Sequence, residues 1–454
     1  MFKKMKKILS KVNVDYADIR YERKIDTNIV YNGKDLTDIG ENVTNGYVVR
    51  VLKNEGFSSV AFTKFEDAEK AIKSAEQDAE ILGKKLAKKV KLANVEVIKD
   101  QYIPELSEDP REVSIDEKLE IIKGYSNLAL DHDKIINTFM KYFDITRKKY
   151  FVSTDGAEIK ETLVTNGFRG NLVSKEGSLV QSLLVGGGGS DGFYRIRNRE
   201  NLIEKRKKIA VDLLNADPIK GGTYNCILNP DLTAIFTHEA FGHFSEADLV
   251  ENLPSIRQKM KIGSKLGSDI LNIVDDPTIL NQLGHYKYDD EGVRARRTQL
   301  MKNGELVGRL HSRRTAAEFD EPVTGHCVAE DYRYAPIVRM GTTYIEPGNK
   351  NFKNMLDELQ DGLYVIDTVS GETSGENFTF HPQYGYIVEN GKIKNMVRDI
   401  NISGNLYKTL KNIKAVGDKL KLKEFGECGK GQINPRSCWG GPHLLINNLV
   451  VGGK

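Results

Sequence analysis

The sequence predicts an α+β protein of two domains: an α/β layer domain over residues 1–218, and a β-rich, antiparallel, barrel-like domain over residues 219–454. The second domain is expected to contain a helix with an H-E-x-x-x-H motif. Helical spacings of three and four alternate with strand-like runs in the first half, whereas short strand-like runs dominate the second. Residues 216–222, with Pro218 and the pair Gly221-Gly222, are typical of a linker. A chain of 454 residues is long enough for two or three domains.

The first domain combines predicted strands with predicted helices, and the N-terminal segment Met1–Leu9 is interpreted as the first, amphipathic helix. Alternating apolar and polar residues predict strands over 15–63 and 135–182, and the later set includes a turn at Ser153–Gly156. Apolar residues at helical spacing predict helices over 66–88, from about Ser114, and over 198–215. Glu117 follows Ser114 at the spacing of a capping box, which indicates where the helix near Ser114 begins.

The second domain is expected to begin with a strand over 224–228 and a helix over 232–249. Further strand-like runs, separated by glycine, aspartate and proline turns, cover 284–288, 298–301, 306–310, 384–388, 392–397 and 444–451. Many short strands with such turns predict an antiparallel barrel or sandwich.

Composition restricts the class of protein. Lys and Arg number 67 against 64 Asp and Glu, so no dominant basic charge favours direct nucleic-acid binding. The lysine-rich N-terminus lacks the apolar segment of a signal peptide, and no run of 18 apolar residues predicts a membrane span. We therefore expect a cytoplasmic protein that binds neither nucleic acid nor membrane.

The four cysteines, Cys226, Cys327, Cys428 and Cys438, form no C-x-x-C pair. Free buried thiols are the default interpretation in a large cytoplasmic chain. Cys428 is the exception, because glycines on both sides of it let the backbone approach another element closely.

The segment from His238 to His243, of sequence H-E-A-F-G-H, has the residue types of a zinc hydrolase site. Imidazoles bind Zn²⁺, and a carboxylate such as Glu239 can take a proton from the attacking water. In the familiar H-E-x-x-H motif both histidines share one helical face, but here the second comes one residue later. On an ideal helix, at roughly 100° per residue, the two side chains would diverge. A chelate therefore requires a π-type bulge, which Gly242 would permit; the alternative is two unrelated histidines near a helix end.

A catalytic zinc site also needs a third protein ligand and an open position. Glu246, about one turn after His243, is a candidate ligand, but it would equally fit a carboxylate that orients an imidazole or a solvated side chain. Asp248 lies close to it in sequence and has no assigned role. Cys428 is the thiolate candidate, and the alternative is a buried cysteine in a glycine-rich loop.

The run Gly186–Gly192 lacks the G-K-[ST] ending of a phosphate loop, and we interpret it as a flexible loop or a flap over substrate. Gly188–Gly192 also matches G-x-S-x-G with Ser190 as the nucleophile. A nucleophile elbow needs a helix directly after the turn, whereas a strand-like run follows here, so the sequence argues against a serine hydrolase.

An acidic segment, Asp289-Asp290-Glu291-Gly292, follows an aromatic strand-like run. A hairpin turn is favoured here over a calcium or substrate site. Several arginines are candidates to pair with acidic groups or to hold a peptide carboxylate, with surface charge as the default: Arg294, Arg296, Arg297, Arg313, Arg314 and Arg339.

Together these segments resemble the TldD/PmbA family of zinc metalloproteases. The resemblance rests on the H-E-x-x-x-H motif, the D-D-E-G block with the following R-T and N-G pairs, the P-x-x-R-M block at 336–340, the C-G-K-G-Q run at 428–432 and the C-terminal V-V-G-G. These blocks span most of residues 224–454, and the histidine motif is that of the TldD branch. After Gln432 the chain departs from the shorter, more apolar run of many members.

The resemblance implies one zinc ion per chain, held by His238, His243 and Cys428, with Glu239 as the general base. It implies a metallopeptidase that cleaves unfolded peptides, admitted as extended strands to an enclosed cavity. It also implies a dimer, a heterodimer with a TldE/PmbA-type subunit or alternatively a homodimer. The competing hypotheses are a non-catalytic binding or assembly subunit and a modulator, with a structural metal.

Overall fold

A computed structural model describes residues 1–86, 88–434 and 436–453. Its first large sheet has seven strands: β1 (Tyr16–Asn32), β2 (Asp35–Lys53), β3 (Gly56–Phe62), β4 (Lys99–Tyr102), β5 (Ile135–Ser153), β6 (Glu158–Glu176) and β7 (Leu179–Gly189). The order is β3-β2-β1-β5-β6, and β4 and β7 both pair with β6. Only β4 pairs in parallel with its neighbour. The predicted turn at Ser153–Gly156 is confirmed, since the Gly156 amide donates to the Ser153 carbonyl at 3.0 Å.

Four helices accompany this sheet: α1 (Phe2–Leu9), α2 (Ala68–Lys85), α3 (Ile115–Leu130) and α4 (Glu200–Asp212). Helix α3 begins where the sequence predicted, because the Ser114 hydroxyl accepts a hydrogen bond from the Glu117 amide at 3.2 Å. Buried residues of α1 and α2 share one apolar core with β1 and β2. Those of α3 and α4 share a second core with β5, β6 and β7. The first half is therefore a sheet with helices packed onto it, as predicted.

The glycine-rich run is not a flexible loop, and this prediction was wrong. Residues 186–189 form the end of β7 and pair with β6. A Cβ atom on Gly188 would lie 2.4 Å from the Asn166 carbonyl oxygen, so the close approach of the neighbouring strand requires glycine. Ser190 follows directly; it is buried, and its hydroxyl has no hydrogen-bond partner in the described chain. It has none of the contacts of an activated nucleophile.

The second half contains many short strands: β8 (Asp217–Pro218), β9 (Gly222–Leu228), β10 (Ile273–Asp275), β11 (Thr298–Lys302), β12 (Glu305–Leu306), β13 (Cys327–Val328), β14 (Ile337–Val338), β15 (Thr342–Ile345), β16 (Gly362–Ile366), β17 (Ser370–Ser374), β18 (Asn377–His381), β19 (Tyr384–Glu389), β20 (Lys392–Arg398), β21 (Asn401–Asn405), β22 (Ile413–Val416), β23 (Lys421–Leu422), β24 (Cys428–Gly429), β25 (Ile433–Asn434), β26 (Cys438–Gly441) and β27 (Leu444–Gly452).

Its helices are short: α5 (Pro230–Thr237), α6 (His243–Ser245), α7 (Ala247–Glu251), α8 (Pro254–Lys259), α9 (Arg313–Phe319), α10 (Phe352–Leu359) and α11 (Leu406–Lys411). No helix in the described ranges is both long and apolar enough to cross a membrane. The whole molecule is thus a mixed α+β protein rich in sheet.

Two sheets organise the second half. A ten-stranded sheet runs β17-β18-β21-β27-β9-β16-β19-β20-β8 with β22 beside β27, and a six-stranded sheet runs β12-β11-β10-β15-β26-β23. Most pairs are antiparallel, as predicted, but β9–β16, β8–β20 and β15–β26 are parallel. Each order runs between two edge strands in the described residues, so the pairing gives open sheets where a barrel-like domain was expected.

Two predicted strands are largely absent. Within residues 284–288 the His285 amide donates to the Gln282 carbonyl in a turn, and the Tyr286 amide donates to the more distant Pro277 carbonyl. Tyr288 makes one isolated bridge to Arg294. The run predicted over 306–310 is a strand only to Leu306. Tyr286, Tyr288 and Leu310 are buried without joining a ladder, which alternation alone does not reveal.

The acidic segment 289–292 joins the two halves. Asp290 lies 2.9 Å from the Lys149 ammonium and 3.3 Å from the Arg20 guanidinium, both on the first sheet. Glu291 lies 2.8 Å from Arg50, also on that sheet. The segment therefore connects the second half to the first sheet through ion pairs. The paired side chains are not those of the nearby arginines that the sequence suggested.

Candidate metal centre

Helix α5 carries the histidine motif to the region where the two sheets of the second half approach each other. It packs against β26, β15 and β23 of the six-stranded sheet and against β16 of the other. Asn229 caps its N-terminus by accepting a hydrogen bond from the Leu232 amide at 2.9 Å, and Pro230 occupies the first helical position. Residues 232–237 are all buried, so the helix is held by packing on several sides.

The helix becomes π-helical over His238–Gly242 and returns to α geometry at His243. This confirms the predicted irregularity near Gly242. A Cβ atom on Gly242 would lie 2.3 Å from the Met340 sulfur, so glycine lets the widened turn pack against that side chain. The extra residue of the motif is taken up by the π turn, and the two imidazole ring centroids lie only 4.7 Å apart.

Three donor side chains converge at this turn. His238, His243 and Cys428 each offer one ligand atom, and these three atoms lie within 4.8 Å of one another. Cys428 Sγ lies 3.6 Å from His243 Nε2. The predicted folding of the Cys428 loop over the helix is thus confirmed, although the two segments are 185 residues apart. Two imidazoles and a thiol are a donor set that suits zinc.

The His243 ring is oriented by a buried carboxylate. Glu246 Oε2 lies 2.9 Å from His243 Nδ1, which leaves Nε2 facing Cys428. Burial lowers the pKa of His243, but Glu246 and then Cys428 outweigh burial and raise it to about 10. Of the three interpretations of Glu246, this contact fits a carboxylate that orients an imidazole, and its burial rules out a solvated side chain. The helix predicted to reach residue 249 breaks here, because Glu246 has extended backbone.

His238 has a different environment. It is buried, and its ring packs against the Trp439 ring with centroids 4.2 Å apart. Its Nδ1 atom has no hydrogen-bond partner in the described residues. Burial, followed by the nearby His243, holds the pKa of His238 well below its usual range. A neutral imidazole with an unpartnered buried nitrogen is suited to bind a cation.

The Cys428 loop is fixed by two basic side chains. Arg339 donates to the carbonyl oxygens of Cys428 and Gln432, both at 2.7 Å. Lys430 Nζ lies 3.2 Å from Glu246 and 2.8 Å from Asp248, which ties the loop to the histidine segment. Asp248, which had no assigned role, therefore helps to anchor this loop. The expectation that Arg339 is surface charge was wrong, since it is buried.

The glycines around Cys428 have different functions. A Cβ atom on Gly426 would lie 2.7 Å from the Ser437 carbonyl oxygen, so this glycine makes the close approach that the sequence suggested. Gly429 has open space around it, and Gly431 has a φ of +70°, which favours glycine in the turn between β24 and β25. The other three cysteines are buried and free, as predicted.

Glu239 lies beside both imidazoles. Its carboxylate oxygens are 3.9 Å from His238 Nε2 and 4.0 Å from His243 Nε2. Thr373 on β17 donates to the Glu239 carbonyl oxygen at 2.8 Å and lies 3.3 Å from its carboxylate. Burial raises the pKa of Glu239, which makes it a better proton acceptor than a solvated glutamate.

Glu239 lines a cleft of about 940 Å³, which is hereafter called the cleft. Near Glu239 it is lined by Lys423, Phe425, Trp439 and residues 368–371. Residues of β1, β2, β5, β6 and β7 form the wall that the first sheet contributes. None of the six arginines considered as carboxylate ligands belongs to the described lining. The sequence did not reveal Trp439, Thr373 or Lys430; the only available signal was that Trp439 is the single tryptophan of the chain.

The sequence matches the models of three domains from one protein family. The PmbA/TldA metallopeptidase domain 1 matches residues 17–79, the central domain matches residues 108–215 and the C-terminal domain matches residues 221–453.

Two relatives with protease names align over nearly the whole chain. A metalloprotease of Synechocystis sp. is 34% identical over 442 residues, which cover 97% of this chain and 95% of the relative. The zinc metalloprotease TldD homolog of Saccharolobus solfataricus is 30% identical over 466 residues, which cover 100% of both. The crystal structure of TldE from Thermococcus kodakarensis has a TM-score of 0.78 at 18% identity, over 99% of this chain and 98% of that one. The structural likeness concerns the fold alone.

Proposed function

This chain belongs to the TldD/PmbA family, and from that membership we propose that it is a zinc-dependent metallopeptidase that cleaves unfolded peptides. One observation carries the proposal: donor atoms of His238, His243 and Cys428 meet within 4.8 Å of one another. Relatives named metalloproteases, one of them a zinc metalloprotease, support the reaction class.

His238, His243 and Cys428 would hold one zinc ion per chain. Two structural features support the fit: the Nε2 atoms of both histidines lie about 4 Å from the Glu239 carboxylate, at 3.9 and 4.0 Å, and Glu246 contacts Nδ1 of His243. When bound, zinc would polarise the peptide carbonyl and increase the acidity of a water molecule. The cluster has three protein donors in the described chain, which favours a catalytic site with an open position over a closed structural one.

Glu239 would act as the general base. Its carboxylate, half-buried beside both imidazoles and next to the Thr373 hydroxyl, would accept the proton of the attacking water and pass it to the leaving amine. The contact with Thr373 limits its rotation. The group that stabilises the oxyanion is not assigned.

The cleft would admit the substrate as an extended strand. Strand β17 pairs only with β18 in the described residues, so one of its edges is open, and residues 370–371 line the cleft. Main-chain hydrogen bonds along such an edge require an unfolded segment and little side-chain specificity. This supports unfolded peptides as the substrate class.

We further propose that the chain acts in the cytoplasm with a TldE/PmbA-type subunit. The fold likeness to TldE and the histidine motif of the TldD branch support a pair of related but unequal subunits. The alternative of a non-catalytic subunit with a structural metal predicts bound zinc without hydrolysis.

Replacing Glu239 tests the assignment. The Glu239→Gln protein should retain zinc and lose about 10²–10⁴-fold in the rate of peptide cleavage, because the amide cannot accept a proton. Cleavage of an unstructured peptide is followed by mass spectrometry, with zinc measured on the same sample and Glu389→Gln, an exposed carboxylate on β19, as the control. Full activity in Glu239→Gln would remove Glu239 from the mechanism.

A further inference from the structure

A lysine close to the candidate metal centre lies on the wall of the cleft. Lys423 donates its amide hydrogen to the Trp439 carbonyl at 2.8 Å, directly after β23. Its ammonium lies 5.7 Å from the Trp439 ring centroid and 5.3 Å from that of Phe425. Trp439 in turn packs against His238. One aromatic ring therefore separates this positive charge from a candidate zinc ligand.

In the described part of the chain, no carboxylate lies within 4.0 Å of the Lys423 ammonium. Of the nearest acids, Asp231 pairs with Lys421 and Asp367 pairs with Arg206. Burial lowers the pKa of Lys423 and outweighs the attraction of both acids. The Lys423 side chain is half-buried on the wall of the cleft, and an ammonium there without a carboxylate partner is placed to bind an anion.

Two of the other three cations in the described lining of the cleft are paired with carboxylates. Lys24 lies 3.5 Å from Asp26, and Arg169 lies 3.6 Å from Glu427. Lys141, on β5 in the wall that the first sheet contributes, also lacks a carboxylate within 4.0 Å among the described residues, but no ring contact connects it to His238. Lys423 is therefore the cleft cation best placed to meet a substrate near Glu239.

We propose that Lys423 binds a carboxylate of the peptide substrate, so that the cleft prefers peptides with an acidic group within about three extended residues of the cleaved bond. This reach follows from two distances: the Lys423 ammonium lies 5.7 Å from the Trp439 ring centroid, and that centroid lies 4.2 Å from the centroid of the His238 ring. An extended residue spans about 3.3 Å, so about three residues cover this path. The acidic group is either the C-terminal carboxylate or an Asp or Glu side chain. The inference rests on the proposed peptidase function and specifies its substrate class.

The test uses two matched pairs of unstructured peptides. One pair ends in a free carboxylate or an amide, and the other carries Glu or Gln near its middle. Binding of each labelled peptide is measured by fluorescence anisotropy with the zinc-loaded full-length Glu239→Gln protein, and cleavage is measured with the unsubstituted protein. We expect the carboxylate member of at least one pair to bind about tenfold more tightly or better.

Four variants at three lysines locate the effect. Lys423→Met should abolish the preference for the carboxylate, whereas Lys423→Arg should keep it, which shows that the variant site still folds. Lys421→Met and Lys141→Met should both keep it, because Lys421 is engaged by Asp231 and Lys141 lies in the wall that the first sheet contributes. Melting temperatures of all variants are compared.

The outcomes separate the two proposals. Three results would overturn the role of Lys423 and leave the proposed peptidase function intact. They are cleavage of all peptides without preference, persistence of the preference for the carboxylate in Lys423→Met, and loss of that preference only in Lys141→Met. An equal loss of cleavage for both members of a pair in Lys423→Met would also overturn it, because that result indicates a role in the reaction itself. Selective binding without cleavage would support Lys423 and overturn the peptidase; no binding of any peptide would overturn both.

Discussion

The orientation of the His243 ring depends on Glu246, a fully buried carboxylate. Its contact with Nδ1 fixes the ring, and Lys430 supplies the positive charge that makes this buried carboxylate tolerable. Burial raises the pKa of Glu246, but Lys430 and His243 outweigh it and lower the pKa. A carboxylate in this position increases the basicity of the ring nitrogen that faces Cys428.

Glu246→Gln should therefore weaken zinc binding about 10- to 100-fold, because the neutral amide no longer raises the basicity of the imidazole. Zinc affinity is measured by competition with a chelating dye. Glu427→Gln, an exposed carboxylate next to Cys428, serves as the control and should bind zinc normally. Equal affinities in all three proteins would remove Glu246 from the metal centre.

Residues with a local signature were predictable, and residues that act across the fold were not. The motif and the resemblance indicated His238, His243, Glu239 and Cys428, and the structure brings these four together. Trp439 was not predicted, because its contact with His238 depends on the return of β26 beside helix α5. The loop contacts of Arg339 likewise depend on pairing between distant segments.

At the scale of elements, the π turn determines whether the motif can chelate. It converts a spacing that splays two side chains into one that brings their rings together. Gly242 makes this turn compatible with Met340.

Gly242→Ala should destabilise the protein by about 1–3 kcal/mol, because the added methyl group overpacks the turn against Met340. It should also weaken zinc binding. Gly124→Ala is the matched control: this glycine lies inside α3 with open space around it, and alanine should stabilise the helix by about 0.5–1 kcal/mol. Both changes are measured by urea unfolding. If the Gly242→Ala protein is as stable as the unsubstituted protein and contains as much zinc, the π turn tolerates a methyl group at residue 242 and the prediction is wrong.

Element type was predictable where periodicity was strong, as in α2, α3 and the long strands of the first sheet. The prediction of a flexible loop at the glycine run was wrong, because glycine there allows two strands to pack closely. Composition alone cannot distinguish this use of glycine from flexibility. The parallel pairs were missed because alternation identifies a strand but not its neighbour.

At the scale of the whole molecule, the segment 289–292 connects the second half to the first sheet. Burial raises the pKa of Asp290, but Arg20, Lys149 and Arg147 outweigh it and hold the pKa well below its usual range. A carboxylate with a depressed native pKa contributes stability above its unfolded pKa, near 4, and this stability is lost as the pH falls below that value.

Asp290→Asn should lower the free energy of unfolding by about 3–5 kcal/mol at neutral pH, because it leaves buried cations without their partner. The difference from the unsubstituted protein should shrink as the pH falls below about 4. Denaturant unfolding at several pH values measures both effects, with Asp269→Asn, 87% exposed, as a control expected within about 0.5 kcal/mol. A pH-independent difference would assign the effect to packing.

The division into domains at residues 218 and 219 stays a prediction. Strand β8 (Asp217–Pro218) pairs with β20 of the ten-stranded sheet, and Tyr384 of the second half packs in one core with Phe168 of the first. The mixed α+β class was predictable from local patterns. How the halves join was not, since the partners of Asp290 are distant in sequence.

The central claim is that His238, His243 and Cys428 hold a zinc ion, and the zinc content of the purified Cys428→Ala protein tests it most directly. By mass spectrometry of the metal, the unsubstituted protein and the Cys226→Ala control, which alters another buried free thiol, should each contain about one zinc ion per chain. Cys428→Ala should contain much less, because two imidazoles alone bind zinc weakly. One zinc ion per chain in Cys428→Ala would contradict the account.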